Sequence, residues 1–275
     1  MIKLSLLIIK TIIIGIIEGI TEWLPISSTG HMILANEFIK LDVTDSFWEM
    51  FEVVIQLGAI LAVVVLYFKT LFPWGFGKTK EDTKNTFNLW FKIIIGCIPC
   101  AIIGILLDDY INDKFYNPWT VAIMLILYGI LFIIIENIRK NKKTRVNDLN
   151  SLSYIDALKV GIFQVLSIIP GTSRSGATIL GGLCIGLDRK VAANFTFFLA
   201  VPVMFGASLL KIVKFGLNFT TAELAVLLVG MFTAFIISII SIKFLLKYIK
   251  NNDFKVFGYY RIILGIIVLL YFLIK

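Results

Sequence analysis

Charge is scarce in this chain, histidine scarcer, and cysteine too sparse to form a framework. Only 16% of the 275 residues are Asp, Glu, Lys or Arg. There is one histidine, His31, and there are three cysteines, Cys97, Cys100 and Cys184. Cys97 and Cys100 make a C-x-x-C pair, but inside the apolar run IIIGCIPCAII with no other metal-ligand types nearby. They read as small apolar residues of a helix rather than as a metal or redox site. No ten-residue alternation of apolar and polar side chains is present, which argues against a β-barrel. No small-residue cleavage site follows the apolar stretch after Lys3, so that stretch reads as retained rather than as a signal peptide. A pore-lining ring of like residues is also missing, which leaves a channel a weak reading.

What is abundant is hydrocarbon. The chain is 59% hydrophobic with 23 Phe and a mean hydropathy of +0.93, against about 45–50% apolar in a soluble domain. Several runs reach the roughly 20 residues that a spanning helix needs, so the expected class is an all-α polytopic membrane protein. The net charge of +8 does not point to nucleic acid, because the charges cluster in loops between apolar runs.

Six clean spans are expected, at about 50–68, 88–107, 117–138, 189–210, 222–246 and 254–274. Two further apolar segments are broken. The first runs from residue 4 past Lys10 and Glu18 to Pro25, which stops a helix, and restarts at Ser27, Ser28 and Thr29, good capping residues. The second covers about 152–186 and is interrupted at PGTSRSG. Loops 69–87, 139–149 and 243–255 hold thirteen basic residues, whereas loops 36–49, 108–117 and 211–223 hold four, with eight acidic ones. This asymmetry places the first set in the cytoplasm if the six clean spans cross and both broken segments return to the side they entered. Both termini then face outward.

The two broken segments also resemble each other. At a constant offset of 146, Gly15 matches Gly161, Glu18 matches Gln164, Ser27 matches Ser173, Thr29 matches Ser175 and Gly30 matches Gly176. Three spans lie between them, so the second copy is inverted, a membrane architecture with broken helices meeting near the midplane. The expected organisation is a single domain, 1–275, with halves of about 1–138 and 150–275 joined by the basic loop 139–149.

Chemistry concentrates in these segments. Glu18, Glu22 and Arg174 would each cost roughly 2.5–3.5 kcal/mol if stranded in lipid, so they must face one another, water or a metal. Glu18 and Glu22 are four apart and share a helical face; two stacked carboxylates favour a bound cation or a shared proton, unless they pair with Lys10 or cap the next helix. Ser27, Ser28, Thr29 and Gly30, and likewise Thr172, Ser173, Ser175 and Gly176, sit where a helix starts and its N–H groups suit a phosphate. Arg174 offers the guanidinium fork best shaped to clamp phosphate oxygens, or could serve as a structural partner of Glu22. His31 is a candidate base or nucleophile. Glu52 and Gln56 share one face of the next span and form a candidate outer layer of the same cavity, although Glu52 could equally mark the membrane boundary. Asp108 and Asp109 fall in an expected outer loop and read as solvated.

EGITEWLPISSTGH followed by PGTSRSGAT closely resembles the bacterial undecaprenyl-diphosphate phosphatases, the bacitracin-resistance type of membrane phosphatase. FEVVIQLGAILAVV and AVPVMFGA extend the resemblance over essentially the whole chain. It implies removal of the terminal phosphate from a polyprenyl diphosphate, regenerating the lipid carrier of cell-wall synthesis. It also implies a magnesium or calcium cofactor, a bacterial plasma-membrane location with the site open to the extracytoplasmic side, and often a homodimer. The fold implied is six spans plus two re-entrant helix–loop–helix elements. The family's functional residues fall on Glu18, Glu22, Ser27, Ser28, Thr29, His31 and Arg174 with its serine neighbours, without departure. Ser28 is the preferred nucleophile, with Ser27, His31 or a metal-held water as alternatives. A transporter or flippase of lipid phosphates is the rival reading, suggested by the inverted repeat alone.

Overall fold

A computed structural model describes residues 2–75 and 77–275, with side chains at all of these except 2, 3, 108, 109 and 112. Among the described residues the secondary structure is helical, apart from one isolated parallel bridge between Val146 and Leu187. The helices are α1 (Ile2–Thr21), α2 (Ser28–Phe38), α3 (Asp45–Val54), α4 (Gln56–Leu66), α5 (Phe68–Leu71), α6 (Lys80–Phe115), α7 (Pro118–Arg139), α8 (Tyr154–Val165), α9 (Arg174–Cys184), α10 (Arg189–Phe215), α11 (Thr221–Ile249) and α12 (Lys255–Ile274). A 3₁₀ turn, Leu166–Ile168, follows α8.

Among the described residues, seven stretches are long and apolar enough to cross a membrane: Leu4–Thr21, Asp45–Leu66, Lys80–Leu107, Pro118–Arg139, Arg189–Phe215, Thr221–Ile249 and Lys255–Ile274. The protein is a multi-pass membrane protein. Six of the stretches coincide with the expected clean spans; the seventh is α1, counted above as half of a broken segment.

The helix ends differ from the sequence reading for local reasons. α6 begins at Lys80 and runs through Pro99 to Phe115, absorbing residues 108–115 of the expected outer loop 108–117. The backbone at Asp108 and Asp109 is therefore helical, while the expectation that their side chains are solvated lies outside the described residues. Polar ends of a long helix keep their i→i−4 bonds in water, so polarity marks the edge of the membrane and not the end of the helix. The span expected from residue 50 starts at Asp45, because the Thr44 hydroxyl accepts the N–H of Phe47 as an N-cap. That span also breaks at Ile55 between α3 and α4.

α10 is the central helix. Every residue from Val191 to Ala200 is buried, and Phe195, Phe197 and Phe198 are fully enclosed. A helix buried all round reads as a core element. Small residues let neighbours approach closely, as is usual between membrane helices. α8 lies against α6 with Gly161 on Gly96: a Cβ at Gly161 would stand 2.2 Å from the Gly96 carbonyl oxygen. α12 lies against α7 with Gly258 on Gly129, where either added Cβ would come within 2.7 Å of the opposite carbonyl.

The basic stretch 139–149 is not a free linker. Arg145 pairs with Asp156 at 2.5 Å, its backbone N–H bonds Gly186, and the Asp188 N–H bonds the Val146 carbonyl at 2.8 Å. Arg139 donates to the carbonyl of Leu183. Arg189 forks onto Glu136, which also accepts the N–H of Phe254. The end of α7, the α9–α10 turn and the start of α12 are thereby tied together.

Candidate active site

Two helix N-termini built alike form the floor of the site. α2 and α9 are each 11 residues long and start 146 residues apart, at Ser28 and Arg174. Their N-caps, Ser27 and Ser173, have φ of 73° and 71° and are the only non-glycine residues with positive φ among those described. This left-handed conformation is uncommon outside glycine. Each serine hydroxyl accepts the N–H three residues on: Gly30 to Ser27 at 3.3 Å and Gly176 to Ser173 at 3.1 Å. The first-turn N–H groups beyond them have no intrahelical acceptor and carry the positive end of the helix dipole.

The two loops interlock through Glu22. Its Oε1 accepts Arg174 Nη2 at 2.9 Å, and its Oε2 accepts the Ser28 hydroxyl at 2.8 Å. The Glu22 carbonyl accepts the hydroxyl of Ser175 at 3.1 Å. Arg174 also donates to the Thr196 carbonyl on α10 at 2.9 Å and lies 5.8 Å from the centre of the Trp23 ring, while its buried Nε has no partner. Trp23 is itself enclosed edge-on against Phe197 at 5.2 Å. The Glu22–Arg174 pair, held above as the structural alternative for Arg174, is thus present, and it leaves part of the guanidinium uncommitted.

Ser28 and Ser27 separate clearly. Ser28 is partly exposed, with its hydroxyl aimed at a carboxylate. Ser27 is fully buried and spends its oxygen on the cap. Thr29 is partly exposed and Gly30 is buried in the first turn of α2. In the second loop Thr172 is buried with an unpartnered hydroxyl, and Ser173 and Ser175 lie 3.1 Å apart through their hydroxyls.

Glu18 is 1% exposed, and its Oε1 has no hydrogen-bond partner among the described residues. Lys10, the alternative partner, instead donates to the carbonyl of Lys40 at 2.7 Å. Glu22, Glu52 and Arg174 are within electrostatic reach of Glu18. Among the described residues no group of three His, Cys, Asp or Glu side chains has metal-binding geometry. The carboxylates at hand are Glu18 and Glu22, a pair that could contribute one or two ligands to a hard divalent ion alongside phosphate and water oxygens, as is common for magnesium. An orphaned buried carboxylate oxygen at Glu18 is what such an ion would satisfy.

His31 stands apart from the Glu22 cluster. Its Nδ1 meets the Ser27 carbonyl and its Nε2 the Tyr260 hydroxyl, each at 2.7 Å, with the two rings stacked 5.6 Å apart. A carbonyl can only accept, so the neutral ring carries its proton on Nδ1 and accepts from Tyr260 on Nε2. Glu52 on α3 accepts the Tyr116 hydroxyl at 3.2 and 3.3 Å, and Gln56 opens α4.

Sequence reasoning missed Arg261, which sits in the middle of a span read as clean. It is fully buried and has no ion-pair partner among the described residues. Its guanidinium donates to the carbonyls of Pro25, Gly171 and Thr172, and to those of Met124 and Leu125 on α7, above the Tyr128 ring. A lone arginine within a spanning run is a signal in its own right, since a membrane-embedded cation demands partners.

A sequence profile described as bacitracin resistance protein BacA matches residues 11–267. The chain belongs to the BacA family. A relative from Desulfitobacterium hafniense named undecaprenyl-diphosphatase is 64% identical over 266 residues, 96% of each chain. Relatives of that name from Acetivibrio thermocellus, 60% identical over 97% of this chain and 98% of theirs, and from Enterococcus faecalis, 59% identical over 96% of each, are similar along the same length. The resemblance drawn from the two motifs thus holds across the chain, and the paired loops of this BacA-family protein lie well inside the matched residues.

Proposed function

We propose that this protein hydrolyses undecaprenyl diphosphate to undecaprenyl phosphate and inorganic phosphate, with Ser28 as nucleophile. The carrying observation is the Ser28–Glu22–Arg174 constellation that joins the starts of α2 and α9. Its support is the diphosphatase name borne by relatives that match nearly the full length, which give the transport alternative no backing.

A nucleophile hydrogen-bonded to a base, with the base oriented by a third group, is the general pattern of covalent catalysis. Here Ser28 Oγ attacks the terminal phosphorus and its proton passes to Glu22. The bond from that phosphorus to the bridging oxygen breaks, and polyprenyl phosphate leaves. Glu22 gives that proton to the departing phosphate; water then attacks the phosphoserine, Glu22 takes a proton from the water and returns it to Ser28 Oγ as the phosphorus–Oγ bond breaks, and inorganic phosphate is released. Arg174 and the first-turn N–H groups of both helices stabilise charge on the equatorial oxygens, the main catalytic resource in phosphoryl transfer. Glu18 and Glu22 would hold magnesium or calcium, which supplies further neutralisation of the phosphate charge. His31, held by Ser27 and Tyr260, borders the first loop as a second proton acceptor.

The topology belongs to the same reading. α2, α8 and α9 are 11, 12 and 11 residues long, or roughly 16–18 Å at 1.5 Å per residue, too short for a hydrocarbon core of about 30 Å. The α1–α2 and α8–α9 pairs are then re-entrant, related as an inverted repeat, with six crossing spans and a site open to the extracytoplasmic side of a bacterial plasma membrane.

Purified protein in detergent should release phosphate from farnesyl or undecaprenyl diphosphate, and Ser28→Ala should lose nearly all of that rate with the fold intact. Mass spectrometry of acid-quenched enzyme should place a trapped phosphate on Ser28; a phosphate on His31 would overturn the assignment. Chelation of divalent ions should stop the release, and added magnesium or calcium should restore it.

A further inference from the structure

The carbonyls that Arg261 holds are related in the same way as the loops themselves. Pro25 and Gly171 stand 146 residues apart, the offset that relates Ser27 to Ser173 and the start of α2 to the start of α9. Nη1 donates to the Pro25 carbonyl at 3.2 Å, and Nη2 to those of Gly171 at 2.8 Å and Thr172 at 2.9 Å. One planar fork therefore grips both loops two residues before their N-caps. Nε reaches the α7 carbonyl of Leu125 at 3.5 Å, Nη2 also lies 3.4 Å from that of Met124, and the centre of the Tyr128 ring lies 5.5 Å from Cζ. Gly176 leaves room for it, since a Cβ there would come within 3.1 Å of Nη1.

We propose that Arg261 is a positioning residue for the phosphatase reaction: its guanidinium fixes the spacing and orientation of the α2 and α9 N-termini by bridging the equivalent carbonyls of Pro25 and Gly171. The proposal rests on the function read above. A carboxylate partner would have served to neutralise a buried cation; carbonyls of two loops serve to hold the loops. A lysine keeps the charge, but its single ammonium cannot present a flat fork to two backbones at once. Because C=O and N–H point oppositely across a trans peptide, holding the Thr172 carbonyl also turns the Ser173 N–H away from the guanidinium.

Two measurements test this. In Arg261→Lys, checked as monodisperse in detergent, kcat should fall roughly 100-fold, the scale of a 1 Å misplacement, with KM little changed. Tyr128→Leu, which removes the ring beneath the fork, should give the same pattern in milder form and decides the point if Arg261→Lys does not fold. Wild-type kcat in either folded variant overturns the proposal. The second measurement needs no activity. Spin labels on Cys184, which is exposed, and on Phe38→Cys, in a Cys97→Ala/Cys100→Ala background, report the α9–α2 separation. Arg261→Gln should broaden or shift that distance distribution, and an unchanged distribution overturns the bridge. Absence of phosphate release from wild-type protein would instead sink the phosphatase reading, leaving the distance measurement to judge the bridge.

Discussion

Glu22 carries three partners on one residue: Arg174 and Ser28 on its carboxylate and Ser175 on its carbonyl. Replacing the carboxylate with an amide keeps the shape and removes both the charge that faces Arg174 and the proton acceptor for Ser28. Glu22→Gln should therefore reduce phosphate release by about 10²–10⁴, the range of general acid–base contributions. It should also lower stability by up to roughly 3–5 kcal/mol, because a buried guanidinium is left uncompensated; thermal unfolding in detergent would read this. Of this cluster, the residue types were legible in the sequence, since carboxylates, hydroxyls and an arginine stand out in hydrocarbon. The division of labour was not. Nothing in Ser-Ser-Thr says that Ser27 turns inward as a strained cap while Ser28 faces Glu22; that follows from the φ of 73° at Ser27. Arg261 was legible by the same rule that singled out Arg174, but its flanks, YYRIILG, are so apolar that the span absorbed it.

At the scale of elements, apolar runs located every long helix, because burying backbone polar groups in lipid requires helix wherever hydrocarbon is continuous. They could not locate ends set by other means: the Thr44 cap, the one-residue irregularity at Ile55 and the polar turns of α6. Helix contacts were equally hidden, since they depend on which small residue meets which backbone. The α6–α8 contact is the most demanding. Gly161→Val should force α8 away from Gly96, displace the loop that carries Arg174 and lower both the melting temperature and the rate, whereas a conservative change on the exposed face of α8, such as Ile162→Leu, should do neither.

For the whole molecule, the charge asymmetry of the loops is a sequence property. The orientation it implies can be measured. Single cysteines placed at Lys142 and at Asp42, in a cysteine-free background, should react with a membrane-impermeant maleimide from opposite sides of the cell membrane, with Asp42→Cys labelled from outside in intact cells. Labelling of both from one side would overturn the three crossings that α3–α4, α6 and α7 make between them, and labelling of Asp42→Cys only from inside would overturn the orientation.

The stretch between the halves has a consequence of its own. Residues 139–149 are stitched by Arg139, Arg145 and Val146 to the α9–α10 turn and, through Glu136 and Arg189, to the start of α12. Continuity of the chain at this point is therefore redundant with the non-covalent ties around it. A gene cut between Lys142 and Lys143 should yield two polypeptides that find each other in the bilayer and copurify as one unit, with neither half holding both helix starts of the site by itself.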